Sequence, residues 1–196
     1  MRSPTNRLRL DALLLCGSLA AVGALGSACL GSSPEEAAAD ALGPDPFPGL
    51  GEDDDEGGPT HRPGQPCLVC HGEAYTPGEE IFVLAGTVYL REDDALGVPD
   101  VQVHVQDAAG HAFSVATNLT GNFMVRRTDR AEVRDRGEGE VRIPWDLEYP
   151  LDVQIERGPD LQRMRSRIYR EGSCSACHQA EAGASSPGRV VLLPRV

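Results

Sequence analysis

The sequence predicts a mainly β protein, an antiparallel β-sandwich carried behind an export segment and an acidic tether. Three observations carry that expectation. Short apolar runs alternate with polar residues through the middle of the chain. Turn-forming clusters separate them at the spacing of a sandwich. After the N-terminal apolar stretch no long amphipathic helical pattern appears. With 196 residues, 40% hydrophobic and only 5% aromatic, the chain suits one small domain with tails.

The N-terminus reads as an export signal over 1–28. Arg2, Arg7 and Arg9 precede any acid, and "ALLLCGSLAAVGAL" follows as an apolar stretch too short and Gly-rich for a membrane span. Cys16 lies within it and would leave with the signal. "LGSAC", ending at Cys29, resembles the lipobox of bacterial lipoproteins, with Leu25 one place early and Gly26 in its slot. That resemblance implies a lipid on Cys29, and Leu30 after it implies sorting to the outer membrane, on its periplasmic side or surface. The alternative is ordinary cleavage that leaves Cys29 a plain thiol. Residues 29–66 are rich in Pro, Gly, Ala and acid, cannot bury enough apolar surface to offset their ordering entropy, and are predicted to be a disordered tether.

The sandwich is assigned to 81–170. "IFVLAGTVYL" (81–90) is a strand-length apolar run. "VQVHVQ" (101–106) puts Val101, Val103 and Val105 on one face and Gln102, His104 and Gln106 on the other. "DAAG" and "NLTG" are turns leading into "HAFSVAT" and "NFMVRR". "VRIPW" (141–145) follows, then "YPLDVQIERGPDLQRMRSRIY" (149–169), read as a hairpin with "RGPD" at its tip. A helix over 161–168 is the rival, because Leu161, Met164 and Ile168 also have helical spacing; alternation with arginines favours strand.

From Gly86 to Val125 the chain resembles the carboxypeptidase regulatory-like, or transthyretin-like, domain. The shared positions are Gly86 and Val88, the valines 101, 103 and 105, Asp107 and Gly110, and Thr117, Gly121 and Phe123. The resemblance implies an Ig-like sandwich used as an accessory module, with no catalytic residues.

Chemistry concentrates at the sandwich's two ends, in segments 67–80 and 171–196. "CLVCHG" holds Cys67, Cys70 and His71; "CSACHQ" holds Cys174, Cys177 and His178. The chain has six cysteines, and these four are all that Cys16 and Cys29 leave. C-x-x-C-H is the attachment pattern of c-type haem: the thiols bond the macrocycle and the adjacent His becomes an axial iron ligand. Two rivals account for the thiols but not for the histidines: one tetrahedral zinc held by both C-x-x-C pairs, or two local disulfides. "GSCSACHQAEAGASSPGRVVLLP" further resembles the tail of exported cytochromes, in which "PGR" and an apolar strand follow the motif; here "VVLLP" is expected to add an edge strand.

Candidate sixth iron ligands are His61, His104, His111 and Met164; Met124 is assigned to the core. If residue 106 opposes 111 across "DAAG", His104 and His111 share a face about 7 Å apart. The arginines 163, 165, 167 and 170 are expected to form a solvated strand face. The net charge of −12, with every cation an arginine, argues against nucleic-acid partners. The expectation is a lipid-anchored dihaem electron carrier, rather than a catalyst, serving redox partners at the cell envelope. The alternative is a non-redox binding or structural module.

Overall fold

The structure is a computed structural model and describes residues 42–43, 58–73, 81–170 and 172–194. The predicted signal 1–28, Cys16, the lipidation site Cys29 and most of the tether lie outside the described residues. Among the described residues no helix is long and apolar enough to cross a membrane.

Nine strands form two sheets among these residues. In chain order they are β1 (Phe82–Tyr89), β2 (Gln102–Gln106), β3 (Ala112–Ala116), β4 (Asn122–Arg127), β5 (Arg134–Gly137), β6 (Glu140–Ile143), β7 (Asp152–Arg157), β8 (Asp160–Arg163) and β9 (Val190–Val191). The first sheet runs β5-β6-β4-β1-β9 and the second β3-β2-β7-β8. The alternation in β2 sets which way the second sheet faces. Val103 and Val105 are buried, while Gln102 and Gln106 are exposed. The buried valines meet Leu84, Val88, Phe123, Val125, Val141 and Ile143 of the first sheet in one shared core. Each such side chain contributes about 1.5–3 kcal/mol on burial, so alternation alone is enough to close the sandwich.

Local chemistry fixes the turns. Gly121 adopts φ +79°, a conformation costly for any residue with a Cβ, and hands the chain to buried Phe123. The hairpin of β7 and β8 closes where expected, with Arg157 opposite Asp160. Beyond it the chain bends at Arg165 and Ser166 and Ile168 then pairs with Leu151, so residues 161–168 are not a helix.

The first sheet departs from the antiparallel expectation and is mixed. The chain leaves β4, runs out to the edge as β5, and returns through the tight turn at Gly137–Gly139. It then inserts β6 beside β4 in the same direction. The sequence pattern misses β5, "RDRG", because its residues carry no apolar alternation. The edge strand expected from "VVLLP" forms as β9 and pairs parallel to β1.

One irregularity positions everything that follows. In β1, Phe82 pairs with Arg126 but Leu84 with Val125, so one extra residue is accommodated as a bulge. Strict alternation would put Phe82 and Leu84 on the same face. The bulge sends Leu84 into the shared core and leaves Phe82 with Ala85 and Met124 in a separate outer cluster.

Candidate functional site

Each C-x-x-C-H motif forms one turn of helix. α1 spans Leu68–His71 and α2 spans Cys174–Cys177. The His71 N–H donates to the Cys67 carbonyl at 2.9 Å and the His178 N–H to the Cys174 carbonyl at 2.8 Å. Residues i, i+3 and i+4 of a helical turn share one side. Each turn therefore gathers its two thiols and its imidazole, which is the geometric content of the spacing. All four cysteines are thiols in the structure.

Both turns pack on β1, from different sides. Cys67 and Leu68 lie against the outer cluster of Phe82, Ala85 and Met124. Cys174 lies against the shared core. Its seat is Gly86, where a Cβ would come within 2.7 Å of the Cys174 Cβ and 2.9 Å of its Sγ. The chain before α2 runs beside β1, with Ser173 bridged to Ala85 and the Ala85 N–H donating to the Gly172 carbonyl at 2.9 Å. The same edge of β1 is taken up again by β9. The second motif is thus an excursion between two pieces of one parallel edge strand. Leu68 reaches across to it: a side chain at Gly172 would meet Leu68 Cδ2 at 3.0 Å.

The excursion is braced from within. Ser186 Oγ accepts from the Gln179 N–H at 3.0 Å and the Gly188 N–H at 3.1 Å. The Arg189 guanidinium lies 4.4 Å from the centre of the Tyr89 ring and donates to the carbonyls of Glu92 and Asp94. His178 Nδ1 lies 2.8 Å from the Gly188 carbonyl. A ring nitrogen that donates to a carbonyl is protonated, which leaves Nε2 with the lone pair a metal needs.

The first motif lines a small cavity of about 30 Å³ together with Pro59, His61, Arg62, Gln65, Phe82, Asn122 and Met124. His71 stacks on Phe82 at 4.4 Å between centroids, and His61 meets His71 edge-on at 5.7 Å. Burial raises the Cys67 thiol from 9.0 to about 11, outweighing the backbone hydrogen bond that lowers it. The neutral thiol is therefore the form present near pH 7. The last part of the predicted tether belongs to this site, because residues 58–66 are held against the sheet by side chains of the β3–β4 turn.

The other proposed iron ligands sit elsewhere. His104 is on β2 of the second sheet, 2.6 Å from Ser114 Oγ and 3.5 Å from Glu156. His111 stacks on Trp145 and pairs with the Asp107 carboxylate at 3.0 Å. Gln106 opposes Ala112, not His111, and this one-residue difference puts His104 and His111 on opposite faces. Met164 continues β8, its N–H bonded to the Val153 carbonyl. The arginines are a solvated face, with Arg163 and Arg167 paired to Asp152 at 3.6 and 3.1 Å. Sequence reading missed Phe82, Arg62 and Asn122 at the site; Met124, assigned to the core, is buried in the outer cluster and also lines the cavity. "THRPGQPC", which puts a histidine and an arginine just ahead of the first thiol, was the available signal.

The donor types match those that hold haem, though the first site as folded has no room for the macrocycle. Each turn offers two thiols and an imidazole from one side, and His178 has its tautomer fixed by a carbonyl. The cavity at the first motif is partly open to solvent and has room for a water or two, so a macrocycle there requires residues 58–66 to move outward. A single zinc fits less well, since Cys67 and Cys174 pack on different sides of β1. Among the described residues no three His, Cys, Asp or Glu side chains converge on one ion. No protein family, curated protein or solved structure matches the chain.

Proposed function

We propose that the chain is an exported, lipid-anchored dihaem c-type electron carrier of the cell envelope, built on a transthyretin-like sandwich. The observation that carries this reading is the shared seat of the two motifs. Two separate C-x-x-C-H turns, more than a hundred residues apart in sequence, pack on one strand, and Leu68 of the first reaches Gly172 beside the second. Neighbouring seats on one strand would let two redox centres exchange electrons, and two independent local disulfides would have no need of them.

Haem iron in each site would supply a one-electron couple. The protein's own residues do the rest. Cys67, Cys70, Cys174 and Cys177 would supply the sulfurs that hold the haem, and His71 and His178 the imidazole ligands. The Gly188 carbonyl, by accepting from His178 Nδ1, increases the basicity of Nε2. Phe82 stacks on His71 and orients its plane. The export signal, the lipid on Cys29 and the tether would place the domain beside its redox partners.

A reductive titration of periplasmically matured protein tests this. Two one-electron equivalents per chain are expected, with Soret and α bands sharpening on reduction. A colourless protein holding stoichiometric zinc, or one that takes up no electrons, would overturn the reading in favour of a non-redox module.

A further inference from the structure

We propose that the arginine run from Arg163 to Arg170 is a docking surface for an acidic partner protein, set beside the second motif. This rests on the electron-carrier reading above for the partner's role and gives that partner a place and a charge.

The sign of the charge is the first argument. Residues 163–170 hold four arginines and no acid, in a chain with 30 acids and a net charge of −12. All four arginines are exposed. Arg163 and Arg167 both reach Asp152, at 3.6 and 3.1 Å, so one carboxylate serves two guanidinium groups. No carboxylate of a described residue pairs with Arg165 or Arg170. Like charges gathered this closely repel one another, and acids brought by a partner relieve that repulsion.

Composition is the second. Tyr169 is 70% and Leu161 53% exposed, and both border the run. Leu161 and Arg163 alternate to the same face of β8. Arginine and tyrosine are the residues in which protein interfaces and their hot spots are enriched. A face that only meets water gains nothing from a large apolar side chain at either position.

Position is the third. Ile168 is bridged to Leu151, next to β7, and Ser173 is bridged to Ala85 of β1. The run therefore crosses from the second sheet to the first. Arg170 lies within about 14 Å of Cys174, the reach of four extended residues. Cys177 of the same turn is exposed. A partner held by the arginines would thus lie next to the second motif.

The observations favour a protein over a lipid surface. Charges more than about 8 Å apart are largely screened at physiological salt. A compact acidic patch would meet the arginines alone. An extended anionic membrane would also face Asp152, Glu156 and the rest of an acidic chain.

The test begins with the full chain free of haem and fluorescein-labelled poly-L-glutamate as the acidic probe, read by fluorescence anisotropy. Wild type should bind at about 10 mM salt and weaken severalfold at about 0.15 M. Arg165→Glu with Arg170→Glu should weaken binding about tenfold or more. Arg130→Glu with Arg136→Glu changes the net charge equally at exposed positions away from the run and should weaken it far less. Tyr169→Ala should lower affinity and leave the salt dependence unchanged. Equal losses in the two charge-reversed pairs, or no binding at low salt, would overturn the proposal. Co-sedimentation with phosphatidylglycerol vesicles in the absence of polyglutamate binding would overturn it in favour of a lipid surface. The place beside the second motif is read on haem-loaded chain carrying Cys67→Ser and Cys70→Ser, oxidised by hexacyanoferrate(III) in a stopped-flow instrument. Each ferrous haem gives one electron to one anion. Repulsion by the net charge alone would make the rate rise with salt; the arginine run beside the haem should make it fall, and Arg165→Glu with Arg170→Glu should reverse that slope. A rate that rises with salt before the arginines are changed would overturn the placement. No covalent haem would overturn the electron-carrier reading, while polyglutamate binding would still decide the docking surface.

Discussion

Replacing Gly86 by alanine tests whether Cys174 sits where the structure puts it. The new methyl would lie 2.7 Å from Cys174 Cβ, 2.9 Å from its Sγ and 3.1 Å from Phe123 Cε1. Overpacking of this kind costs about 1–3 kcal/mol. Against it stands a gain of about 0.4–1 kcal/mol, because alanine has less freedom than glycine in the unfolded chain, and Gly86 does not need a positive φ. The net expectation for the haem-free chain is a loss of about 0.5–2 kcal/mol, read from the midpoint of urea unfolding at constant slope. Cys174→Gly removes both sulfur-side contacts. In that background Gly86→Ala should cost little or become stabilising, leaving a coupling of about 1 kcal/mol or more between the two positions. Equal losses in both backgrounds would show that the second motif is not seated on Gly86, and the shared strand would lose its structural basis.

Further outcomes follow from the same contacts. In the haem-free protein Cys67 should be alkylated at least about tenfold more slowly than an ordinary thiol near pH 8, since only the thiolate reacts and burial lifts its pKa from 9.0 to about 11; exposed Cys177 should react first in a mass-spectrometric time course. Because the folded value lies above the unfolded one, the stability tied to neutral Cys67 is whole below pH 9 and declines as pH rises from 9 toward 11. Urea midpoints should fall over that window, and a Cys67→Ala chain should lack that share of the fall. Asn118→Ala should cost about 1–3 kcal/mol in thermal unfolding, because it removes the nearer of the Pro59 carbonyl's two donors and leaves the Thr120 and Asn122 N–H groups without the Asn118 Oδ1 acceptor. Cys174→Ser with Cys177→Ser should yield a matured chain with one haem; two or none would show that the motifs do not load independently.

The parts of this fold legible in the sequence are those governed by local period and local turns. Val103 and Val105 had only one way to face, Gly121 and Asp107 marked the turns around β3, and "RGPD" marked the β7–β8 tip. What escaped depends on partners distant in the chain. β5 is charged and exists because β6 pairs with it. The bulge at Val83 and Leu84 is invisible in an unbroken apolar run, yet it turns Phe82 outward to meet His71. The register of β2 and β3 differs by one residue from the assumed pairing, and that slip separates His104 from His111. At the site, the C-x-x-C-H spacing was readable because it is a helical-turn property. The role of residues 58–66 was not, because their composition is that of a solvated linker and their order comes from Asn118, Thr120 and Asn122, some sixty residues away.

The central claim, that both motifs carry haem, is tested most directly by the intact mass of the acid-denatured chain after periplasmic maturation. The account predicts a mass increased by two haems that survive denaturation. The unmodified polypeptide mass, or one lowered only by disulfide formation, would contradict it.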